Sequence, residues 1–428
     1  MCSSQLSARA ARMPVMTDSH SQPEVTDPIR WSPLERLAFR FAFVYFAMFG
    51  CASLLDVGTG PRAFAARLFD PPVRWVARIA FGLTDPSSVG GARWAAAQQI
   101  TAFGVAAILA VIWSAVSSRA EYRRLRGWFF IVLRYYVAVI MMIYGGFKII
   151  NSQFPPLSLE QLSEPLGSMA PMGLLWAFMG YSNVYAAFTG LGEATGAFLL
   201  FFRRTTTAGA LILIAVLSNV ALLNYVFDVP VKQLSFNLLL ASIVLAAADA
   251  RRLIDVWFLN RAAAPVDVSF DFRRRWLYRV RRVLKPIVVA GATCGPIVAS
   301  ALVHRRIVER PPLFGLYDVD AFVRNGVNQP AMARDWTRWR QVGLSRPGVM
   351  SVRFMNDSVR TYSVTVDTLA RRVSTRSRNG AGGSPIAIAY ERRADGGLRL
   401  LGAVNGENLD ITLLRVDHER VFRLLHHR

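Results

Sequence analysis

The chain has 428 residues, of which 53% are hydrophobic and 18% charged, with a formal net charge of +22. So much apolar side chain with so little charge excludes an ordinary soluble domain and points to a polytopic membrane protein. The basic excess does not call for nucleic acid, because most of it sits in short loops between apolar runs, where membrane topology uses it.

Residues 1–33 are polar and broken by Pro14, Pro23, Pro28 and Pro33, which reads as a disordered cytoplasmic tail. Residues 34–303 read as a helical membrane domain. A first span covers about Leu37–Leu55. Residues 57–94 form a loop rich in Gly, Pro and Arg. Inside it, Val73–Leu83 puts Val73, Val76, Ala80 and Leu83 on one helical face and Arg74 and Arg78 on another, as an interfacial helix would. The second span is about Ala95–Val116 and the third about Trp128–Ile150. Gly173–Tyr181 is apolar but too short to cross, so it re-enters or lies at the interface. Spans four to seven are about Asn183–Phe202, Thr207–Phe227, Gln233–Ala248 and Pro286–Val303. The predicted fold class is therefore mainly α, a polytopic bundle of about seven spans, followed by a small C-terminal antiparallel β domain.

Loops after spans two, four and six are dense in arginine, while those after three and five carry no Arg and only Lys232. By the positive-inside rule the N-terminus is cytoplasmic and residues 304–428 lie outside, which in a bacterial inner membrane means the periplasm. The five arginines of the loop after span one fit this poorly.

Residues 304–428 contain alternating runs, VMSVRFM, RTYSVTVD, PIAIAYE, LRLLGAV and LDITLLRV, separated by NDS, RNGAGGS, ADGG and NGEN. Turn-forming residues between alternating runs predict an antiparallel meander, or a half-open barrel. No catalytic constellation is visible in it. Cys2, Cys51 and Cys294 are too scattered for a disulfide framework and form no C-x-x-C. No histidine lies in an apolar run, so neither bilayer haem nor a metal site is expected.

The residues that do not belong in lipid cluster between Tyr144 and Lys232. Ionisable groups at membrane depth cost roughly 2.5–3.5 kcal/mol each on insertion scales, and so suggest function. Lys148 ends span three on the outer side and Glu193 lies near the middle of span four. Asn219 is in the outer half of span five, and Asn224 and Asp228, spaced i,i+4, share a face at its outer end. Lys232 and Asn237 flank the start of span six. Arg134 and Asp249 lie near inner ends, where snorkelling explains them. The prediction is a polar pocket open to the exterior and closing on Glu193, with Lys148, Glu193, Asn219, Asn224, Asp228 and Lys232 as ligand-binding candidates. End-residue snorkelling for Lys148, Asp228 and Lys232, and interhelical hydrogen bonding for the asparagines, are the plainer alternatives. Glu193 is harder to set aside. It sits inside Gly192-x-x-x-Gly196, a spacing that admits a close helix neighbour, and a carboxyl there needs a partner, with Lys148 and Asn219 as candidates. Two of the chain's three lysines, Lys148, Lys232 and Lys285, fall in this pocket.

At these residues the chain resembles the DoxX-like membrane proteins of bacteria, over about Phe41–Leu253 and most firmly from Tyr144 to Lys232. The glycine-flanked glutamate before a leucine-rich segment corresponds to Gly190–Leu200. The long form of that family is matched by Phe178–Ser182, Phe188–Gly190, Glu193, Arg203–Thr206 and Leu223–Lys232, and further on by Gly315–Phe322 and Arg338-Trp339. The long form continues into an aromatic tail, whereas this sequence stops at His426-His427-Arg428. The resemblance implies a helical membrane core and an association with respiratory, quinone-linked or redox-stress functions.

Three functions compete. One is a quinone-linked redox subunit, whose carboxylate, amide and lysine would bond a quinone head. No haem, flavin or iron–sulfur motif is present, so electrons would need a partner redox or periplasmic protein. The second is a non-enzymatic scaffold in membrane lipid, a homo-oligomer among its forms, whose pocket pairs charges to hold the helices and whose β domain recruits another protein. The third is a small-molecule transporter or membrane enzyme using Glu193 or Lys148 as base. The absence of an evident inverted repeat weakens transport. The accessory or scaffold readings stand first, and a stand-alone enzyme last.

Overall fold

A computed structural model describes residues 31–55, 59–84, 91–263, 275–377, 386–404 and 406–422. The expectation of a tail at residues 1–30 lies outside the described residues. Residues 31–33, assigned to that tail from sequence, instead belong to the helical domain. Trp31 meets Phe39 edge-on with ring centroids 5.3 Å apart, and the Arg126 guanidinium lies 5.6 Å over the Trp31 ring. The Ser32 and Glu35 side chains each accept from the other's backbone N–H, at 3.2 and 2.8 Å. This reciprocal cap starts helix α1 (Pro33–Leu55).

The stretch read as a loop with one short interfacial helix is mostly one longer helix, α2 (Thr59–Phe81), with Pro71 and Pro72 inside it. Val73 and Ala77 are buried against Trp94 and Ala97 of α3 (Ala92–Val116), while Arg74, Trp75, Arg78 and Ile79 are exposed. Ala80, placed on the apolar face from sequence, is exposed. The buried face is set by Val73 and Ala77, one turn apart, rather than by the larger stripe.

The remaining helices are α4 (Arg123–Ile149), α5 (Leu159–Leu162), α6 (Pro171–Tyr181), α7 (Asn183–Leu200), α8 (Thr206–Val226), α9 (Lys232–Ala247), α10 (Ala250–Trp257) and α11 (Arg275–Val308), with α12 (His418–Val421) near the end of the described chain. Among the described residues four helical stretches are long and apolar enough to cross a membrane: Ala92–Val116, Arg123–Ile149, Arg203–Val226 and Arg282–Val308. A fifth results if α9 and α10, bent by 71° at their junction, count as one span. These stretches mark a membrane protein, and on length and apolarity they number four or five among the described residues, against the seven expected from sequence. Helix α7 is only 18 residues long and carries Asn183 and Glu193, which lower its apolarity.

Helix α4 is the hub. It packs on α7, α11, α9 and α1. A Cβ built on Gly145 would lie 2.8 Å from the Gly190 carbonyl oxygen, and one built on Gly190 would lie 2.7 Å from the Gly145 oxygen and 2.7 Å from Lys148 Cβ. Backbone thus touches backbone where α4 meets α7, the usual device of apolar helices that lack a hydrophobic driving force between them. On the other side of α7, a Cβ on Gly209 of α8 would lie 2.7 Å from the Gly196 oxygen. The Gly192-x-x-x-Gly196 spacing therefore faces α8. The contact with α4 is made by Gly190 and Ala194.

Helix α11 is continuous through Pro286 and Pro296 and includes residues read as a basic loop. Beyond it lies a closed antiparallel barrel. Strands β1 (Gly315–Arg324), β2 (Val327–Asn328), β3 (Trp339–Arg346), β4 (Val349–Phe354), β5 (Val359–Asp367), β6 (Arg372–Ser377), β7 (Ile386–Arg392), β8 (Leu398–Val404) and β9 (Glu407–Arg415) pair in the order β2-β1-β3-β4-β5-β6-β7-β8-β9. The β1–β9 pairing, with Tyr317 opposite Arg415, closes the ring. Alternation fills the interior: Met350, Val352 and Phe354 from β4 and Leu409, Ile411 and Leu413 from β9 belong to one buried core. The meander expectation holds in order; closure and strands β1, β2, β3 and β6 were not read from sequence.

The barrel is joined to the helices at a second place besides α11. Ser158 and Gln161 form a capping box on the short helix α5. Glu160 accepts from the Ser345 backbone N–H at 3.1 Å and from its hydroxyl. Arg346 donates to Gln161 Oε1 at 2.7 Å, and Arg353 donates to the Ser163 carbonyl at 3.1 Å. The arginine-free loop between α4 and α6 is therefore a strap over the end of β3.

Candidate functional site

The site is assembled by three chain breaks. Helix α4 stops just after Lys148, because Asn151 adopts φ 55°, a left-handed conformation that asparagine tolerates. Helices α6 and α7 are separated by Ser182, whose hydroxyl accepts from the Tyr185 N–H at 3.2 Å. Helix α8 stops at Val226, and Asp228 in the following turn has φ 55°. These breaks leave α6 as a short wall beside α7 and α8 rather than a span.

Between them lies a cavity of about 730 Å³. Its walls are largely Met141, Leu175, Trp176, Met179, Leu217 and Leu223, from α4, α6 and α8, with α9 contributing Leu234 and Leu238. Lys148 and Glu193 stand in this wall. Lys148 is 5% exposed and Glu193 1%. The lysine Nζ donates to Glu193 Oε1. Glu193 Oε2 is buried and has no hydrogen-bond partner among the described residues. Of the two partners proposed from sequence, the structure selects Lys148. Lys148 is one residue from the end of α4, and the Gly145–Gly190 contact brings that end against the centre of α7.

Asn219 and Asn224 also line the cavity. Asn224 is buried and Asn219 exposed. Asp228 and Lys232 do not line it. They form an ion pair of their own at 2.7 Å, with Lys232 buried and Asp228 exposed. The expectation that Asn224 and Asp228 share a helical face is corrected, because α8 ends at Val226 and Asp228 turns away in the left-handed conformation.

Of the inner-end residues, Arg134 is corrected as well. Arg134 is buried and donates to Thr206 Oγ1 at 3.2 Å, so it does not snorkel. Asp249 accepts from the Thr207 hydroxyl, and the Arg252 guanidinium lies 3.8 Å away. Asn237 belongs to a separate network, in which Tyr45 donates to Asn237 Oδ1 and Gln99 donates to the Tyr45 hydroxyl.

Sequence reasoning missed Tyr144, Gln153, Thr189 and Ser235, which line the same cavity. Two of them had a signal. Tyr144 lies one helical turn before Lys148, and Thr189 one turn before Glu193, so each shares its neighbour's face. Gln153 and Ser235 had none, since their positions depend on how α4 ends and α9 begins.

A polar pair in an apolar wall can bond one polar group of a molecule whose remainder lies against methionine, leucine and aromatic side chains. No family model matches the chain, and no solved structure matches it. It is similar to the uncharacterized protein YwoB of Bacillus subtilis (strain 168), at 33% identity over 126 residues, 29% of this chain and 79% of that protein. Through that stretch the chain belongs to the family of YwoB.

Proposed function

We propose that this chain is a multi-pass accessory or scaffold protein of the DoxX-like type in the bacterial inner membrane, holding an amphipathic small molecule of the quinone class between α4, α6, α7, α8 and α9. The observation that carries the reading is the apolar cavity of about 730 Å³ ending at the buried Lys148–Glu193 pair. Its volume suits a ring with part of an isoprenoid chain, since small-molecule sites commonly span about 300–1,000 Å³. The rest of such a chain would extend into lipid past exposed Phe178 and Tyr185, which line the cavity. The chain's own residues would bind and orient the molecule. Redox chemistry, where it occurs, would be supplied by the quinone and a partner protein.

The topology proposed with it has seven spans, counting α1, α7 and α9 with the four most apolar stretches, and places the barrel in the periplasm. The strap supports this arrangement. It follows the Lys148 end of α4, lies in the arginine-free loop, and bonds the barrel directly. The barrel would then be a platform for a periplasmic partner on the side where the cavity closes. A reporter active only in the periplasm, fused at Arg415, is expected to be active; activity of a cytoplasm-only reporter would overturn the topology.

The function is tested by purifying the full chain in native lipid nanodiscs and extracting it for mass spectrometry. A quinone enriched well above its share of the bulk membrane, and lost from a monodisperse Leu223→Trp variant with a filled cavity, is the expected result. Equal quinone in both preparations, at the bulk level, would refute it.

A further inference from the structure

The unpartnered oxygen of Glu193 restricts what the cavity can hold, on the reading that the cavity is a ligand site. The carboxylate has two oxygens, and the Lys148 ammonium engages only Oε1. Oε2 is buried without a partner, although a buried carboxylate oxygen left unbonded forfeits the full cost of its desolvation. Neighbouring polar groups do not satisfy it. The Thr189 hydroxyl, one turn away on the same helix, donates to the Ala186 carbonyl at 2.8 Å. Tyr144, Asn219, Asn224 and Ser235 in the same wall carry donors but do not bond Oε2, and Met141, Leu217 and Leu238 have none to offer. Glu193 lines the cavity, so an occupant whose head reaches the buried Oε2 is placed to supply the missing donor.

We infer that the site takes an amphiphile whose head carries an O–H donor, a phenol or hydroquinone, and binds it through an O–H to Glu193 Oε2 hydrogen bond. Lys148 orients the carboxylate, and the apolar wall takes the tail. Of the two redox forms of a quinone, only the reduced one carries that donor. The site therefore favours the quinol over the quinone. This is a preference between oxidation states that shape alone would not produce, since the two rings are nearly the same size.

The test uses the full chain in nanodiscs and two probes that differ by one methyl group, 2-bromo-4-octylphenol and its methyl ether. Bromine quenches tryptophan, and Trp176 lines the cavity. The saturable quenching absent from Trp176→Phe reports occupancy. The phenol is expected to bind about tenfold more tightly than the ether, the scale of one hydrogen bond to a charged group. Glu193→Gln is expected to narrow that ratio, and where that variant does not fold, the wild-type comparison stands alone. Equal binding of the two probes would overturn the donor assignment while leaving the cavity a ligand site. Tighter binding of the ether would also overturn it, because the carboxyl would then be the donor. Saturable quenching by neither probe would remove the ligand site itself, and the inference with it.

Discussion

Lys148 and Glu193, 45 residues apart in the chain, form a buried pair in which the lysine engages one carboxylate oxygen and leaves the other unbonded. The pair joins α4 to α7 at the point where their backbones touch.

This pairing makes the two residues strongly interdependent. Lys148→Met or Glu193→Leu alone leaves an uncompensated buried charge and is expected to cost about 3–5 kcal/mol. The double variant removes both charges and is expected to recover most of that loss. Thermal unfolding of the four proteins in one detergent gives the cycle. Additive losses would show that the two groups do not act as a pair.

Glycines that look alike in sequence should differ sharply. Gly190→Ala puts a methyl 2.7 Å from the Gly145 oxygen and from Lys148 Cβ, so α4 and α7 must separate. Gly192→Ala meets only Val216 Cγ2, at 3.4 Å, a flexible side-chain end. The first is expected to destabilise by about 1–3 kcal/mol or more and to loosen the Lys148–Glu193 pair, the second by much less. The melting temperatures of the two variants check the order, and equal values would contradict the α4–α7 contact.

The strap is expected to be held by Glu160. In Glu160→Ala the Ser345 N–H and hydroxyl lose their acceptor. Hydrogen exchange should then quicken in residues 158–163 and at the end of β3, while β4 and β9 in the barrel interior stay protected. Unchanged exchange at Ser345 would mean that the strap is held elsewhere.

The barrel should weaken in acid through two carboxylates. Hydrogen bonds from the Thr337 backbone and hydroxyl hold Asp335 below the usual aspartate range, and the Arg399 fork, at 2.9 and 2.7 Å, does the same for Asp410. A depressed folded-state value means that the unfolded chain takes up protons first as pH falls. The stabilisation is therefore complete above the unfolded value, about 3.9, and is lost as pH falls through the lower folded values. Asp335→Ala and Asp410→Ala are each expected to flatten the acid limb of barrel unfolding followed by circular dichroism. An unchanged limb in both would assign acid sensitivity to other groups.

Much of this protein is legible along the chain because hydropathy and periodicity are local. The apolar runs mark the helices, and the alternation in Val349–Phe354 and Leu409–Arg415 marks strands β4 and β9. The depth of Glu193 and Lys148 in apolar sequence suffices to single them out, since an ionisable group there needs a partner whatever the fold. Which partner it finds is not local. The Lys148–Glu193 bond depends on the Gly145–Gly190 contact, which sets how far α4 slides along α7. The separation of Asp228 from Asn224 depends on one left-handed residue that ends their common helical register. The cavity exists because α6 stops short and stands beside α8, and closure of the barrel depends on β1 meeting β9 from the far end of the domain. Composition determines that charges in this chain must be paired, while packing between distant segments determines with whom and beside what space.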